Sequence, residues 1–349
     1  MNDNQKKIGI GIVVAILCAV AFYFLYWTKT PVYSLNIIRE AIEKHDVDTF
    51  ERHMDLDTLF DKGFDDVLVA SDRIEGKNSL EDPLVAGMVQ MLKKPAVAAL
   101  KARTLDAVKG EFDEEGKERK NGSGDKFADN LEKEAGVNQA VFKDASVVSK
   151  EGNEAIVALK FYNKQLEKDF TVKLKMAKLE DGTWKVKQMT NLVDFLVEAD
   201  KAVKAKLAEL NKPIREELEK AVKVSDVTLD LENDGNPFFA SHWLEYYMSV
   251  TNETDKDIAA IYIKNSVVGA DGTVRRSKVL KYDQVLPAHG TTRLIYEDSL
   301  NHFIADEKQM MDHPEGLTLK AEIVGIKYMD GSKIEILQKL PDPQEEKKK

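Results

Sequence analysis

The sequence predicts an α+β protein with an N-terminal transmembrane helix, a helix-wrapped antiparallel sheet shaped like a cone, and then an all-β immunoglobulin-like sandwich. Three observations support this fold class. One apolar run near the N-terminus is as long as a membrane span. Apolar residues recur with a helical period up to about residue 110 and then with a period of two. From residue 224 onward, short alternating runs are separated by turn signals at regular spacing.

The apolar run, residues 8–27, reads IGIGIVVAILCAVAFYFLYW and contains no Asp, Glu, Lys, Arg or His. As a helix rising about 1.5 Å per residue it would span about 30 Å, the thickness of the hydrocarbon layer. The positive-inside rule keeps the preceding lysines in the cytoplasm, so residues 1–7 are predicted to be cytoplasmic and the rest extracytoplasmic. The residues predicted to anchor this single-pass protein in the cell membrane, in contact with lipid, are Lys6, Lys7, Ile8, Val13, Leu17, Phe22, Tyr26 and Trp27.

A cleaved secretory signal is the main alternative to a retained anchor, because it also places basic residues before an apolar core. Such a core usually runs about 7 to 15 residues, and this one is longer and ends in aromatic residues. Lipid attachment at Cys18 is disfavoured because the preceding residue is Leu17, where a small side chain is required. Cys18 is the only cysteine, which excludes an intramolecular disulfide.

Helical patterns fill the start of the first domain, which is predicted over residues 28–190 with a flexible loop at 111–130. Ser34, Asp46, Asp55 and Asp82 are the expected N-caps, the last with Pro83 at the first helical position. Pro95 is expected to end or kink its helix. A connecting helix follows over residues 191–222, interrupted at Asn211 and Pro213.

Strand patterns complete both domains. In the first, alternation begins at Val157 and continues past the Asp181-Gly182 turn to Val186, predicting an antiparallel meander with one apolar face. The second domain is predicted over residues 223–340, with at least six short strands and an inserted loop or short helix at 299–314. The charged end, residues 341–349, is expected to be disordered.

The segment TPVYSLNIIREAIEKHDVDTFERHMDLDTLFDKGFDDVL, residues 30–68, resembles a bacterial family known as domain of unknown function 2939 (DUF2939). The resemblance covers about residues 30–200 and is carried by Pro31, Tyr33, Leu35, Ile38, Ala41, Ile42, Asp46, Phe50, Asp55 and Leu59. It implies a bacterial protein and brings no activity and no catalytic residues. Residues 224–340 are similar to the immunoglobulin-like modules of bacterial envelope proteins.

Metal, cofactor and catalytic sites find little support in the sequence. Asp57, Asp61 and Asp65 stand one helical turn apart and are weak candidates for a hard cation, but acids opposite an apolar stripe are typical of a solvated helix face. No cofactor is expected, and the motifs of the common hydrolases and nucleotide-binding enzymes are absent. His53 and Asp57 would face each other only if their two short helices were continuous.

Five lysines of the meander form a possible patch for an anionic surface: Lys173, Lys175, Lys178, Lys185 and Lys187. Neighbouring strands would bring such side chains within about 5 Å of one another. Acidic residues alternate with them along the chain, so a merely soluble face explains the same pattern.

The function expected from these features is that of a non-catalytic binding or scaffold protein of the bacterial cell envelope, whose sandwich contacts an envelope protein or an anionic wall polymer. The net charge of −10 argues against nucleic-acid binding. The alternative is a small-molecule binder, or an enzyme of hydrolase or isomerase type, with a pocket in the cone lined by Trp184 and Phe161.

Overall fold

A computed structural model describes residues 27–76, 81–110, 140–235 and 241–341 of the chain. The chain divides into two compact units, Met1–Lys204 and Ala205–Lys349, and each is described by itself. The division falls inside one long helix. The predicted flexible loop at 111–130 and all but the first residue of the predicted tail lie outside the described residues.

The first unit begins with helices. After a short 3-10 turn at Trp27–Lys29, the helices are α1 (Pro31–Glu43), α2 (Val47–His53), α3 (Leu56–Glu75) and α4 (Pro83–Lys109). The helix α5 (Leu192–Ala221) starts in this unit and ends in the next. The N-caps predicted at Asp46, Asp55 and Asp82 are confirmed, since each carboxylate accepts a backbone N–H of the first turn.

The N-cap predicted at Ser34 is wrong, because the helix starts one turn earlier. Thr30 is the cap, and its hydroxyl accepts the N–H of Tyr33, with Pro31 at the first helical position. Ser34 is fully buried, and its Oγ accepts the backbone N–H of Trp184 at 2.9 Å. The side chain of Ser34, which could have capped a helix, therefore joins α1 to the sheet.

Two prolines expected to interrupt helices lie inside continuous ones. Pro95 lies within α4, and Pro213 lies within α5. A proline removes one hydrogen bond of the helix, at a cost of about 3 kcal/mol, and packing of the helix on both sides can offset it. Asn211 does not break α5 either, because its side-chain amide pairs with the backbone N–H and C=O of Leu337.

The sheet of the first unit is an antiparallel meander in the order β1 (Ala140–Glu151), β2 (Glu154–Asn163), β3 (Lys168–Lys178) and β4 (Trp184–Met189). Its apolar face packs against α1, α2, the N-terminal part of α3 and the C-terminal part of α4. The core consists of Ile38, Ala41, Phe50, Leu56, Val108, Ala155, Val157, Met176, Trp184 and Val186. The first strand, β1, is an edge strand exposed on both faces, and the sequence pattern did not reveal it.

The second unit is a sandwich of two antiparallel sheets. One sheet has the order β5-β6-β9, formed by Val222–Asn233, His242–Asn252 and Thr291–Ser299. The other has the order β11-β10-β7-β8, formed by Lys333–Glu335, Thr318–Tyr328, Ile258–Val268 and Val274–Tyr282. The core between the sheets includes Leu244, Tyr246, Met248, Ile261, Ile263, Leu294 and Ile326. A short helix, α6 (Ala305–Asp312), joins β9 to β10.

The observed fold class is α+β with antiparallel sheets, and the prediction of an N-terminal transmembrane helix in a single-pass membrane protein is corrected. No helix within the described ranges is both long and apolar enough to cross a membrane. The helices α4 and α5 have the length, with 27 and 30 residues, but carry charged side chains along it, which are costly in hydrocarbon.

The predicted span itself lies outside the described residues, except for the backbone of Trp27. The same holds for the other predicted anchor residues, which are Lys6, Lys7, Ile8, Val13, Leu17, Phe22 and Tyr26. The localisation inferred from them stays a prediction.

Candidate interaction site

The three aspartates considered for a cation are engaged by lysines of α4. The Nζ atom of Lys93 lies 3.0 Å from Asp61 Oδ1 and 2.9 Å from Asp65 Oδ2, and that of Lys101 lies 2.9 Å from Asp57 Oδ2. Burial opposes the charge of Lys93, but hydrogen bonds to Asp65 and Asp61 outweigh it and raise the pKa of the amine. These carboxylates therefore join α3 to α4.

Within the described part of the chain, no group of three or more His, Cys, Asp or Glu side chains is arranged to hold a metal ion. His53 and Asp57 do not work as a pair either. The Nδ1 atom of His53 donates to the carbonyl of Thr49 at 2.9 Å, and Asp57 accepts from Lys101.

The five lysines of the meander do not form one patch. Antiparallel pairing places Lys173, Lys175 and Lys185 on the face away from the core, whereas Lys178 pairs with Trp184 on the opposite face and is exposed at the end of β3. The amine of Lys175 is 2.8 Å from Glu154, and that of Lys187 is bound to Asp55. An anionic ligand would meet acidic neighbours at two of the five positions.

The apolar face of the first sheet, where the alternative function required a pocket, is covered by packed side chains. Trp184 and Met176 are fully buried and pack with Val157 and Val186, and the indole Nε1 of Trp184 donates to the carbonyl of Lys29. A cavity of about 410 Å³ lies elsewhere in this unit, as an open groove between α3 and α4. Its walls are formed by Asp57, Asp61, Lys94, Val97, Ala98, Lys101, Ala102 and Leu105.

A loop of the sandwich unit, residues 300–304 between β9 and α6, is held by several hydrogen bonds, and we call it the Phe303 loop. At its base, the N–H of Leu300 donates to the carbonyl of His242 at 2.9 Å. At its centre, the side-chain oxygen of Asn301 accepts the N–H of Phe303 at 2.9 Å, and its carbonyl accepts the N–H of Ile304 at 3.0 Å. The backbone of the loop is thus fixed by its own asparagine.

A buried ion-pair network holds this loop to the sandwich. Arg276 on β8 bonds Asp298 on β9 through two nitrogens, at 2.6 and 2.9 Å, and bonds Glu307 on α6 through a third. The second carboxylate oxygen of Glu307 accepts the N–H of Asn301 at 2.7 Å. The side chains of Asp298 and Glu307 are only 5% and 9% exposed, so these bonds are shielded from water.

The electrostatics of the network favour its charged form. Burial alone would raise the pKa of Asp298, but hydrogen bonds from Arg276 and Lys278 outweigh it and hold the pKa below its usual range. The hydrogen bond to Asp298 likewise raises the pKa of Arg276. Tyr246, whose hydroxyl is 3.2 Å from Asp298 Oδ2, has its pKa raised chiefly by burial.

The side chain that this framework presents to solvent is Phe303. It is 98% exposed, and its neighbour Ile304 is 45% exposed. A large apolar ring that is almost fully exposed on a hydrogen-bonded loop has no role in the core, and aromatic residues of this kind are enriched at protein interfaces. The sequence analysis placed Phe303 in the inserted segment but assigned it no role, because nothing local marks it as exposed.

The fold is that of an α+β protein of two units, the second of which exposes Phe303 on a hydrogen-bonded loop. No protein-family model matches the chain, and no curated protein matches it. The chain is similar to the X-ray structure of Northeast Structural Genomics Consortium target SoR45, with 13% sequence identity, 36% of this chain and 90% of that chain covered, and a TM-score of 0.22. A likeness at that TM-score carries no argument about fold or function, and the resemblance to DUF2939 stays a prediction.

Proposed function

We propose that the protein is a non-catalytic binding protein whose sandwich unit contacts a protein partner through the Phe303 loop. The observation that carries this proposal is the 98% exposure of Phe303 on a loop fixed by Asn301 and by the Arg276, Asp298 and Glu307 network. Aromatic side chains, phenylalanine among them, are enriched at protein interfaces relative to the rest of the surface. A loop that is already ordered loses less conformational entropy when it binds.

The proposal favours a protein over an anionic polymer because the exposed tip is apolar. Phe303 and Ile304 bring apolar surface, whereas a polymer of negative charge would require a cluster of cations. The predicted lysine patch does not provide that cluster, since Lys175 and Lys187 are paired with acids.

Site-specific photo-crosslinking in living cells tests the proposal. A photoreactive phenylalanine analogue is placed at Phe303 in the full chain, and at Val279, which is 51% exposed on β8, as the matched control. We expect a crosslinked product of one defined mass at position 303 and none at 279. Equal products at both positions, no product, or attachment only to wall polymer would contradict the proposal.

A second variant tests whether the framework positions the ring. Asn301→Ala removes the side-chain oxygen that accepts the N–H of Phe303 but leaves the ring in place. We expect crosslinking from position 303 to fall several-fold while far-UV circular dichroism is unchanged. Undiminished crosslinking would show that the fixed loop is irrelevant to binding.

A further inference from the structure

The N-terminal half of α4 exposes a stripe of large apolar side chains, which we call the α4 stripe. Leu84, Met88, Met91 and Leu92 are 73%, 57%, 79% and 46% exposed. Their spacing of three and four residues places them along one face of the helix. Four exposed apolar residues on one helical face form a surface that favours a partner.

The helix is fixed on its opposite side. Lys93, whose side chain is only 15% exposed, bonds Asp61 and Asp65 of α3. The side chains of Val85 and Val89 are half-buried. The α4 stripe is therefore the outward face of a helix already anchored to its own unit, and it does not need to refold to meet another surface.

Opposite charges flank the α4 stripe. Glu81 and Asp82 precede it, and Lys94 follows it. The pattern is centred on Met88: Leu84 and Leu92 lie four residues to either side, and Asp82 and Lys94 lie six residues to either side. Two copies of α4 that run antiparallel therefore place apolar residues beside apolar residues and acidic residues beside Lys94.

We propose that a second copy of this chain docks on the α4 stripe with its own α4 antiparallel. In this two-fold contact Met88 meets its symmetry mate, and Leu84 lies beside Leu92 of the second copy. The acidic end, Glu81 and Asp82, lies beside Lys94 of the second copy. A parallel arrangement would bring the two acidic ends together, which like-charge repulsion opposes.

The size of the contact sets the strength of the association. The stripe from Leu84 to Leu92 extends about 12 Å along the helix. A stable protein interface buries about 800 Å² on each partner, and a single helical face of this length offers less. The self-association is therefore weak and depends on protein concentration.

Cysteine crosslinking of the full chain tests the contact and its direction. In a Cys18→Ser background, Met88→Cys should form a disulfide-linked dimer under mild oxidation, several-fold more than Gln90→Cys. Gln90 is the matched control because it is also exposed on α4 but lies off the stripe. A yield at Met88→Cys no higher than at Gln90→Cys would overturn the proposal.

Two differently tagged chains show whether the two copies of α4 run antiparallel or parallel. When Leu84→Cys and Leu92→Cys chains are mixed, we expect the mixed dimer to exceed either like dimer several-fold. An excess of the Leu84→Cys like dimer would indicate parallel helices and overturn the antiparallel contact. The charge pairing is tested by charge reversal. Lys94→Glu should lower the yield of the Met88→Cys dimer, and adding Glu81→Lys and Asp82→Lys to the same chain should restore it. A yield that is not restored counts against the charge pairing.

Discussion

At the scale of single residues, Asp298 determines how well the candidate interaction site is ordered. Its carboxylate accepts hydrogen bonds from Arg276, Lys278 and Tyr246. Arg276 belongs to the other sheet of the sandwich, and its guanidinium also bonds Glu307 of α6. A buried charge of this kind is stabilised only while its partners remain, because desolvation opposes it. The network therefore connects the stability of the sandwich to the order of the Phe303 loop.

Asp298→Asn should destabilise the sandwich unit by about 2 to 4 kcal/mol, because it leaves the Arg276 guanidinium partly buried beside a neutral amide. Urea unfolding followed by tryptophan fluorescence and circular dichroism measures the change. Asp283→Asn is the control, since Asp283 pairs with Lys281 and both side chains are more than half exposed. Equal effects of the two substitutions would contradict the importance of burial.

The same carboxylate predicts how stability depends on pH. The pKa of Asp298 is lower in the folded state than the value of about 3.9 usual for an unfolded chain, so folding favours its ionised form. Its contribution is present above about pH 5 and is lost as the pH falls through the folded pKa. The free-energy difference between the wild type and Asp298→Asn should therefore shrink as unfolding is measured from pH 7 down to pH 3, and a constant difference would contradict this.

At the scale of elements, local chemistry and long-range contacts fix different features. The caps Asp46, Asp55 and Asp82 were predictable because each side chain bonds the backbone only two or three residues away. The role of Ser34 was not, because its partner, the N–H of Trp184, is 150 residues distant.

Ser34→Ala should weaken the junction between α1 and β4. It removes the acceptor for the N–H of Trp184, and a buried donor left without a partner costs about 1 to 3 kcal/mol. Thermal or urea unfolding of the first unit measures the loss. Ser149→Ala on the exposed strand β1 is the control and should change little. Equal effects at both serines would show that the bond to Trp184 contributes nothing.

Two edge strands, β1 and β8, were not visible in the sequence. The strand β1 is exposed on both faces, so its residues show no alternation, and β8 has four charged residues among its nine and no buried one. Both are nevertheless strands because a neighbouring strand supplies their hydrogen bonds. Backbone pairing leaves no signature in side-chain polarity when neither face is buried.

At the scale of the whole molecule, each unit has a hydrophobic core of its own. Val157 is central to the first core and Ile261 to the second, and both are fully buried. Separate cores explain why the sequence shows a change of pattern along the chain, from helical repeats and a meander to the short strands of a sandwich.

Separate cores also predict separate responses to substitution. Val157→Ala and Ile261→Ala each remove buried methyl groups, which should cost about 1 to 4 kcal/mol in the unit concerned. Hydrogen exchange resolved along the chain should show faster exchange in the sheet β1–β4 for Val157→Ala and in the sandwich for Ile261→Ala. Equal acceleration in both units from either substitution would indicate a single cooperative core.

The sequence by itself determined the antiparallel α+β class, the helix caps Asp46, Asp55 and Asp82, and the alternating strands of the two cores, because burial of one face and local hydrogen bonds leave a trace in the sequence. Only the tertiary structure decided which partners single charged residues contact. The aspartates of α3 became partners of Lys93 and Lys101, the lysine patch was divided, and Asp298 met Arg276. Such contacts depend on which elements become neighbours, and that information is carried by the packing of the whole chain rather than by any single stretch of it.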